Sequence, residues 1–267
     1  MPNQFNLEIT DTDEIGAGLF QISLYSPELA NLAKPGQFLM VDCKLGDQNN
    51  SELFLRRPLS VHRIQPEKNI ISILFQIVGQ GTRSLARMAK GDLLDVLGPL
   101  GNGIDISHDI KKAVFLAGGL GIASLTALMD LGSSKGINMT LLAGARNSWK
   151  LYPSQLLPKG VVEITATDDG SAGVRAPVTH LLSQIQSEAD IIYACGPISM
   201  LRTLANMRDE GLLVTPTVVL VKSPMGCGIG ICKGCVLDTT LDTKLICVDG
   251  PAFDLEDIKW DSDYSPR

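Results

Sequence analysis

The chain has 267 residues, 45% of them hydrophobic and 19% charged, the make-up of a folded protein with an ordinary core and enough length for about two domains. A net charge of -6, with no basic stripe, excludes a nucleic-acid surface. No apolar run approaches the roughly 20 residues of a membrane span, and MPNQFNLEIT lacks the basic and apolar regions of a signal peptide, so a cytoplasmic protein is expected.

Residues 1–108 read as the first domain. Short strands are expected over 5–9, 19–25, 38–43, 59–64 and 70–78, the last rich in β-branched residues. Turn signals separate them at Ser26-Pro27, Pro35-Gly36, Lys90-Gly91-Asp92 and Leu97-Gly98-Pro99. Many short strands with frequent turns suggest a small barrel or sandwich. Residues 81–89 read as a short helix. Two features suit a phosphate. Arg56-Arg57-Pro58-Leu59-Ser60 sets two arginines at the entry of a strand, and the guanidinium fork matches phosphate oxygens. Gly79-Gln80-Gly81-Thr82 sits at a helix start, where free N–H groups favour anions. An ordinary salt bridge and an ordinary cap explain the same residues.

Residues 109–222 change pattern. Strands at 112–117, 139–143, 162–166, 191–194 and 217–221 alternate with helices from the 118–121 turn to 131, over 175–187 and over 197–209. That alternation implies a parallel α/β sheet whose ligands lie beyond the carboxyl ends of the strands. Glycine-bearing turns fall there: Gly118-Gly119-Leu120-Gly121, Gly144-Ala145-Arg146 and Cys195-Gly196-Pro197. The first is G-G-x-G rather than the full dinucleotide fingerprint. Arg146 suits a ribose or phosphate, and Asp168-Asp169-Gly170 suits either a ribose hydroxyl or a turn. The histidines at 62, 108 and 180 form no triad with a nucleophile, and Cys43 reads as a core residue.

Residues 223–267 hold four of the six cysteines, Cys227, Cys232, Cys235 and Cys247, spaced C-x4-C-x2-C-x11-C. This is the plant-type iron–sulfur spacing. A [2Fe-2S] cluster needs four thiolates, and a loop supplying three must wrap tightly. The interleaved glycines permit that and free backbone N–H groups to face sulfur. Structural zinc is the alternative, although zinc sites usually pair two short cysteine hooks. A disulfide framework does not suit a long chain without a leader.

As a set, these residues resemble the ferredoxin–NADP reductase superfamily. Arg57-Pro58-Leu59-Ser60 is similar to its R-P-x-S flavin motif. Gly118–Gly121 and Cys195-Gly196-Pro197-Ile198-Ser199-Met200 are similar to its nicotinamide motifs. The cysteine block, continued by Cys247-Val-Asp-Gly-Pro-Ala-Phe253, resembles one branch, the electron-transfer subunit of B-type dihydroorotate dehydrogenase. The resemblance implies an N-terminal antiparallel β-barrel binding FAD, a central parallel-sheet domain binding NAD(H) as co-substrate, and a small C-terminal [2Fe-2S] lobe. By motif position, Arg57, Pro58, Leu59 and Ser60 hold the flavin and its phosphates, and Leu74, Phe75 and Gln76 line it. Gly81 and Thr82 take the diphosphate, Gly118, Gly119, Gly121, Cys195 and Gly196 the nicotinamide nucleotide, and Cys227, Cys232, Cys235 and Cys247 the cluster. The resemblance also implies a flavin-containing catalytic subunit that oxidises dihydroorotate, in a heterotetramer serving pyrimidine biosynthesis. No base for that substrate is evident in this chain. Related subunits serve sulfhydrogenase-like complexes, which is the alternative. One position departs from the pattern: Ser124 stands where G-G-x-G-I-x-P chains carry proline.

Overall fold

The structure is a computed structural model of the chain and describes residues 3–44 and 54–260. The N-terminal part contains β1 (Asn3–Gly16), β2 (Leu19–Tyr25), α1 (Pro27–Leu32), β3 (Phe38–Val41), β4 (Arg57–Gln65), β5 (Ile70–Gln76), α2 (Gln80–Leu85) and β6 (Leu93–Leu100). Its strands close into a barrel in the order β1-β2-β5-β4-β3-β6, with antiparallel neighbours throughout. Alternation along each strand sends Ile9, Ile22, Leu39, Ile73, Phe75 and Val96 inward. β6 covers the stretch in which Leu97-Gly98-Pro99 reads as a turn. Leu94, Val96 and Leu100 keep the inward period. Gly98 and Pro99 fall where the register against β3 shifts, a place where a strand tolerates proline.

The second part contains β7 (Lys112–Gly118), α3 (Ile122–Ser134), β8 (Asn138–Ala145), β9 (Val161–Thr167), α4 (Leu182–Ile185), β10 (Ile191–Cys195), α5 (Ile198–Asp209) and β11 (Thr217–Leu220). The helix expected over 175–187 is instead a short α4 between 3-10 turns at Val178–Leu181 and Gln186–Glu188. Pro177 holds the preceding residue out of the α region and delays the start. The last part contains β12 (Val236–Asp238), β13 (Thr243–Leu245), α6 (Ile246–Asp249) and β14 (Ala252–Asp254).

The large sheet runs β14-β11-β10-β7-β8-β9, parallel except for β14. Phe115, Leu141 and Tyr193 pack one face against α3, and Leu116, Leu142 and Ile192 pack the other against Leu201 and Leu204 of α5. That second core also takes in Met40 and Leu100 of the barrel and Cys235 and Cys247, so one apolar body joins all three parts. The chain leaves the sheet after β11, makes the cysteine loop, and returns to the edge of the same sheet as β14.

Candidate functional site

The barrel meets the nucleotide domain where β4 crosses α3. A cavity of about 300 Å3 lies there. Pro58, Leu59, Ser60 and Leu74 form its barrel wall, Ala123 and Ser124 of α3 with Leu120 of the preceding turn the facing wall, and Lys222, Ser223, Pro224 and Met225 a strap across it. The strap leaves the carboxyl end of β11, where ligands of parallel sheets bind. Its start is fixed: just before it Val221 N–H donates to the Pro251 carbonyl at 2.9 Å, and Lys222 Nζ donates to the Leu120 carbonyl at 3.1 Å.

The expected flavin residues divide by strand parity. Leu74 faces the cavity. Phe75 turns the opposite way, into the barrel core, 1% exposed and stacked on Phe20. Only its backbone is left for a ligand. The two arginines also part company. Arg56 is paired with Asp95 at 2.7 Å. Arg57 lies over the start of α2, where a Cβ added to Gly81 would sit 3.5 Å from its Nε. Arg57 and Gly81 are thus brought together. Thr82 serves the cap: its Oγ1 accepts the Val78 N–H at 2.9 Å and the Gly79 N–H at 3.3 Å. Cys43 packs beside Gly81, and burial pushes its thiol up to about 11 despite Arg57.

Behind the cavity a polar interface ties β4 to α3. The Oγ atoms of Ser60 and Ser124 are 2.8 Å apart. His62 is fully buried, with Nδ1 3.4 Å from the Ala123 carbonyl and Nε2 3.2 Å from the Tyr152 hydroxyl. Burial first, then the Arg63 charge, push this imidazole down to about 3, against a smaller rise from the Ala123 carbonyl. It is neutral at pH 7. Arg63 reaches Asp130 of α3 at 3.0 Å.

A second cavity, of about 560 Å3, opens over the ends of β7, β8 and β9. Gly118, Gly119, Arg146, Asp168, Ser199 and Thr203 are on its wall. Gly119 takes a left-handed φ of 51°. Gly121 and Cys195 lie behind the wall, backbone against backbone: a Cβ on Gly121 would fall onto the Cys195 carbonyl. Cys195 is fully buried and Gly196 packs on Met200. Asp169 closes a turn instead of facing the cavity, its Oδ1 accepting the Ser171 N–H at 2.9 Å.

The cysteine loop begins two residues beyond Met225. Every sulfur accepts a backbone N–H. Cys227 takes those of Ile229 and Cys232 at 3.4 Å, Cys247 that of Gly230 at 3.2 Å, Cys232 that of Gly234 at 3.4 Å, and Cys235 that of Cys247 at 3.5 Å. Neutral thiols are weak acceptors, so this density of donors suits thiolates. Burial raises the Cys227 thiol, but the Cys232 and Ile229 N–H groups outweigh it and bring it down to about 7. Burial, then Cys235, push Cys247 up to about 12. Cys227 has Cys232 as a side-chain neighbour, and Cys247 has Cys235 and, more weakly, Cys227. Among the described residues no three His, Cys, Asp or Glu groups close on a single ion. Gly228, at a φ of 74°, presses the loop onto the barrel, where a Cβ would strike Met40.

The strap Lys222–Met225 and the α3 wall went unassigned in the sequence. Their place depends on strand order, which brings β11, β10 and β7 side by side. The available signal was the position of the strap just past a parallel strand.

Residues 222–259 match the iron–sulfur cluster binding domain of dihydroorotate dehydrogenase B. The chain is 32% identical over 261 residues, 96% of its length and 98% of the relative, to the dihydroorotate dehydrogenase B (NAD(+)) electron transfer subunit of Listeria monocytogenes serotype 4a (strain HCC23). It is 30% identical over 268 residues, 98% of its length and 100% of the relative, to the protein of the same name from Desulforamulus reducens. Among solved structures it resembles a chain of an NADH-dependent reduced ferredoxin-NADP oxidoreductase studied for flavin-based electron bifurcation. That match has a TM-score of 0.82 and 30% identity, and covers 95% of this chain and 90% of that chain. A Neisseria gonorrhoeae ferredoxin NADP+ reductase with bound FAD and NADP has a TM-score of 0.62 at 18% identity, over 78% of this chain and 92% of that one, and shares the fold.

Proposed function

The chain belongs to the family of dihydroorotate dehydrogenase B electron transfer subunits, and we propose that it links a flavin-containing, dihydroorotate-oxidising partner subunit to NAD+ through a [2Fe-2S] cluster and FAD. When bound, FAD handles electrons in pairs or singly and the cluster carries one at a time, the chemistry needed between two two-electron reactants.

The chain's own residues bind, orient and shield. Arg57 and Gly81, with the cap made by Thr82, hold the FAD diphosphate. Pro58, Leu59, Ser60 and Leu74 form the wall for the ring, joined by the backbone of Phe75 and by Gln76. Gly118 and Gly119 let the nicotinamide nucleotide approach the strand ends, and Gly121, Cys195 and Gly196 set the spacing of those ends. Cys227, Cys232, Cys235 and Cys247 ligate the cluster, and their N–H donors favour the charged thiolates. The working parts are residues 1–108 for FAD, 109–222 for NAD and 223–267 for the cluster. The assembly is a heterotetramer in the cytoplasm. Among the described residues no helix is long and apolar enough to cross a membrane.

One observation carries the reading. The cavity between barrel and nucleotide domain is closed by a strap that runs into four cysteines whose sulfurs all accept backbone N–H bonds. The test is an anaerobic visible spectrum of the purified protein before and after NADH. Flavin bands with a broad iron–sulfur shoulder, bleached by NADH, are expected. A colourless, zinc-containing protein refutes the proposal. The likeness to the NADH-dependent ferredoxin-NADP oxidoreductase chain favours a second reading, a reductase subunit of another complex. Identification of the co-purifying subunit by mass spectrometry separates the two.

A further inference from the structure

Ser124 stands in the first turn of α3, 3% exposed, on the wall of the cavity between the domains. A serine inside a helix commonly turns its hydroxyl back to the carbonyl four residues earlier. Here Lys222 Nζ takes the Leu120 carbonyl at 3.1 Å, and Ser124 Oγ points across the cleft to Ser60 Oγ at 2.8 Å. The remaining polar side chain of the strap, Ser223, donates to the Pro224 carbonyl.

Proton accounting on this pair is simple. Two hydroxyls carry two protons, and their mutual bond uses one. If Ser124 donates to Ser60, the second proton can be offered by Ser60 to an acceptor in the cavity. If Ser60 donates to Ser124, Ser60 is left with lone pairs for a donor at the same spot, and the Ser124 proton is offered to the cavity, whose wall Ser124 also forms. Rotation of both hydroxyls exchanges the two states without moving a heavy atom. A ring nitrogen that gains a proton on reduction changes from acceptor to donor, and the pair suits both forms.

We propose that Ser124 is a positioning residue which sets the direction of the Ser60 hydroxyl toward the flavin ring. This rests on the FAD reading above. Without the Ser124 hydroxyl, Ser60 can still donate to an acceptor. When it must accept instead, its own proton loses its partner beside the apolar Pro58 and Leu59. An unpaired donor costs more than an under-used acceptor. Loss of Ser124 therefore disfavours the reduced form more than the oxidised one.

The experiment is a spectroelectrochemical titration of the flavin in the intact protein, for Ser124→Ala, Ser124→Thr, Ser60→Ala and the Ser60→Ala/Ser124→Ala double variant. Alanine is the best helix former, so α3 is kept. Ser124→Ala is expected to shift the oxidised-to-reduced ratio about three- to tenfold toward oxidised, a fall of about 15–30 mV for a two-electron couple. Ser124→Thr, which keeps the hydroxyl, is expected to match the wild type. In the Ser60→Ala background the Ser124 change is expected to do nothing. An unchanged potential in Ser124→Ala, the same fall in Ser124→Thr, or a fall that persists without Ser60 each overturns the assignment while leaving the FAD reading intact. A wild-type chain without flavin overturns both.

Discussion

His62 makes the stability of the interdomain contact depend on pH in a way that can be worked out from its burial. The imidazole is fully buried and pushed down to about 3. An unfolded histidine titrates near about 6.5. The folded value lies below the unfolded one, so the unfolded chain binds the proton first. The contribution of the neutral ring is therefore whole above pH 6.5 and shrinks as the pH falls toward 3. Each pH unit in that window is worth about 1.4 kcal/mol. Between pH 6.5 and pH 5 the loss is about 2 kcal/mol, or about 4–8 °C in melting temperature for a chain of this size. Gln at this position keeps an amide donor and acceptor for Ala123 and Tyr152 but does not titrate. Thermal melts of wild type and His62→Gln at pH 7, 6 and 5 isolate the effect, because the surface carboxylates contribute equally to both. The variant is expected to start lower and fall less steeply. Because Ala123 is also on the cavity wall, flavin release at pH 5 is expected to be larger in the wild type than the change in the variant. Parallel curves for the two proteins between pH 7 and pH 5 would refute the argument.

Cys232→Ser is expected to lose the iron–sulfur absorbance and keep the flavin, read from the visible spectrum and by iron analysis. Arg57→Ala is expected to weaken FAD binding roughly 10- to 100-fold through loss of a charge-assisted contact, measured by fluorescence during dialysis. Arg56→Ala breaks only the pair with Asp95, and its FAD affinity is expected to stay within about threefold of wild type, since such partly exposed pairs are worth about 1 kcal/mol or less. Gly121→Ala forces β7 and β10 apart at their ends, with an expected loss of about 3 kcal/mol or more in stability and weaker NADH binding, read by melting and by NADH titration.

The local chemistry of this chain was readable wherever residue type alone carries it. The spacing of Cys227, Cys232, Cys235 and Cys247 points to a four-thiolate site, and in the fold their sulfurs face backbone donors of the same loop. The β-branched residues of Ile70–Gln76 mark a strand, and parity then decides that Leu74 and not Phe75 reaches the cavity. What was hidden depends on partners distant in sequence. Arg56 and Arg57 are equivalent as letters, and only the barrel closure gives Asp95 to one and the start of α2 to the other. Ser124 reads as a departure from a glycine-turn pattern until β4 is laid against α3 and Ser60 becomes its neighbour. The strap from Lys222 to Met225 has no motif at all. Its role comes from β11 ending beside β10 and β7.

The same adjacency leads to the expectation that cluster loss and flavin loss are separable although the two proposed sites share a segment. The strap is anchored at its sheet end by Val221 on Pro251 and by Lys222 on Leu120, and neither bond involves a cysteine. At its other end the loop is pressed onto Met40 and Leu100 of the barrel through Gly228. Removing one sulfur at the exposed Cys232 removes a proposed ligand but leaves both anchors, so the cavity wall is expected to persist. A bulky side chain at Gly228 acts on the opposite end. It lifts the loop from the barrel while all four sulfurs remain. Gly228→Val is therefore expected to alter flavin and cluster together, where Cys232→Ser alters the cluster alone. A Gly228→Val protein with a wild-type spectrum would show that the barrel contact does not hold the loop in place.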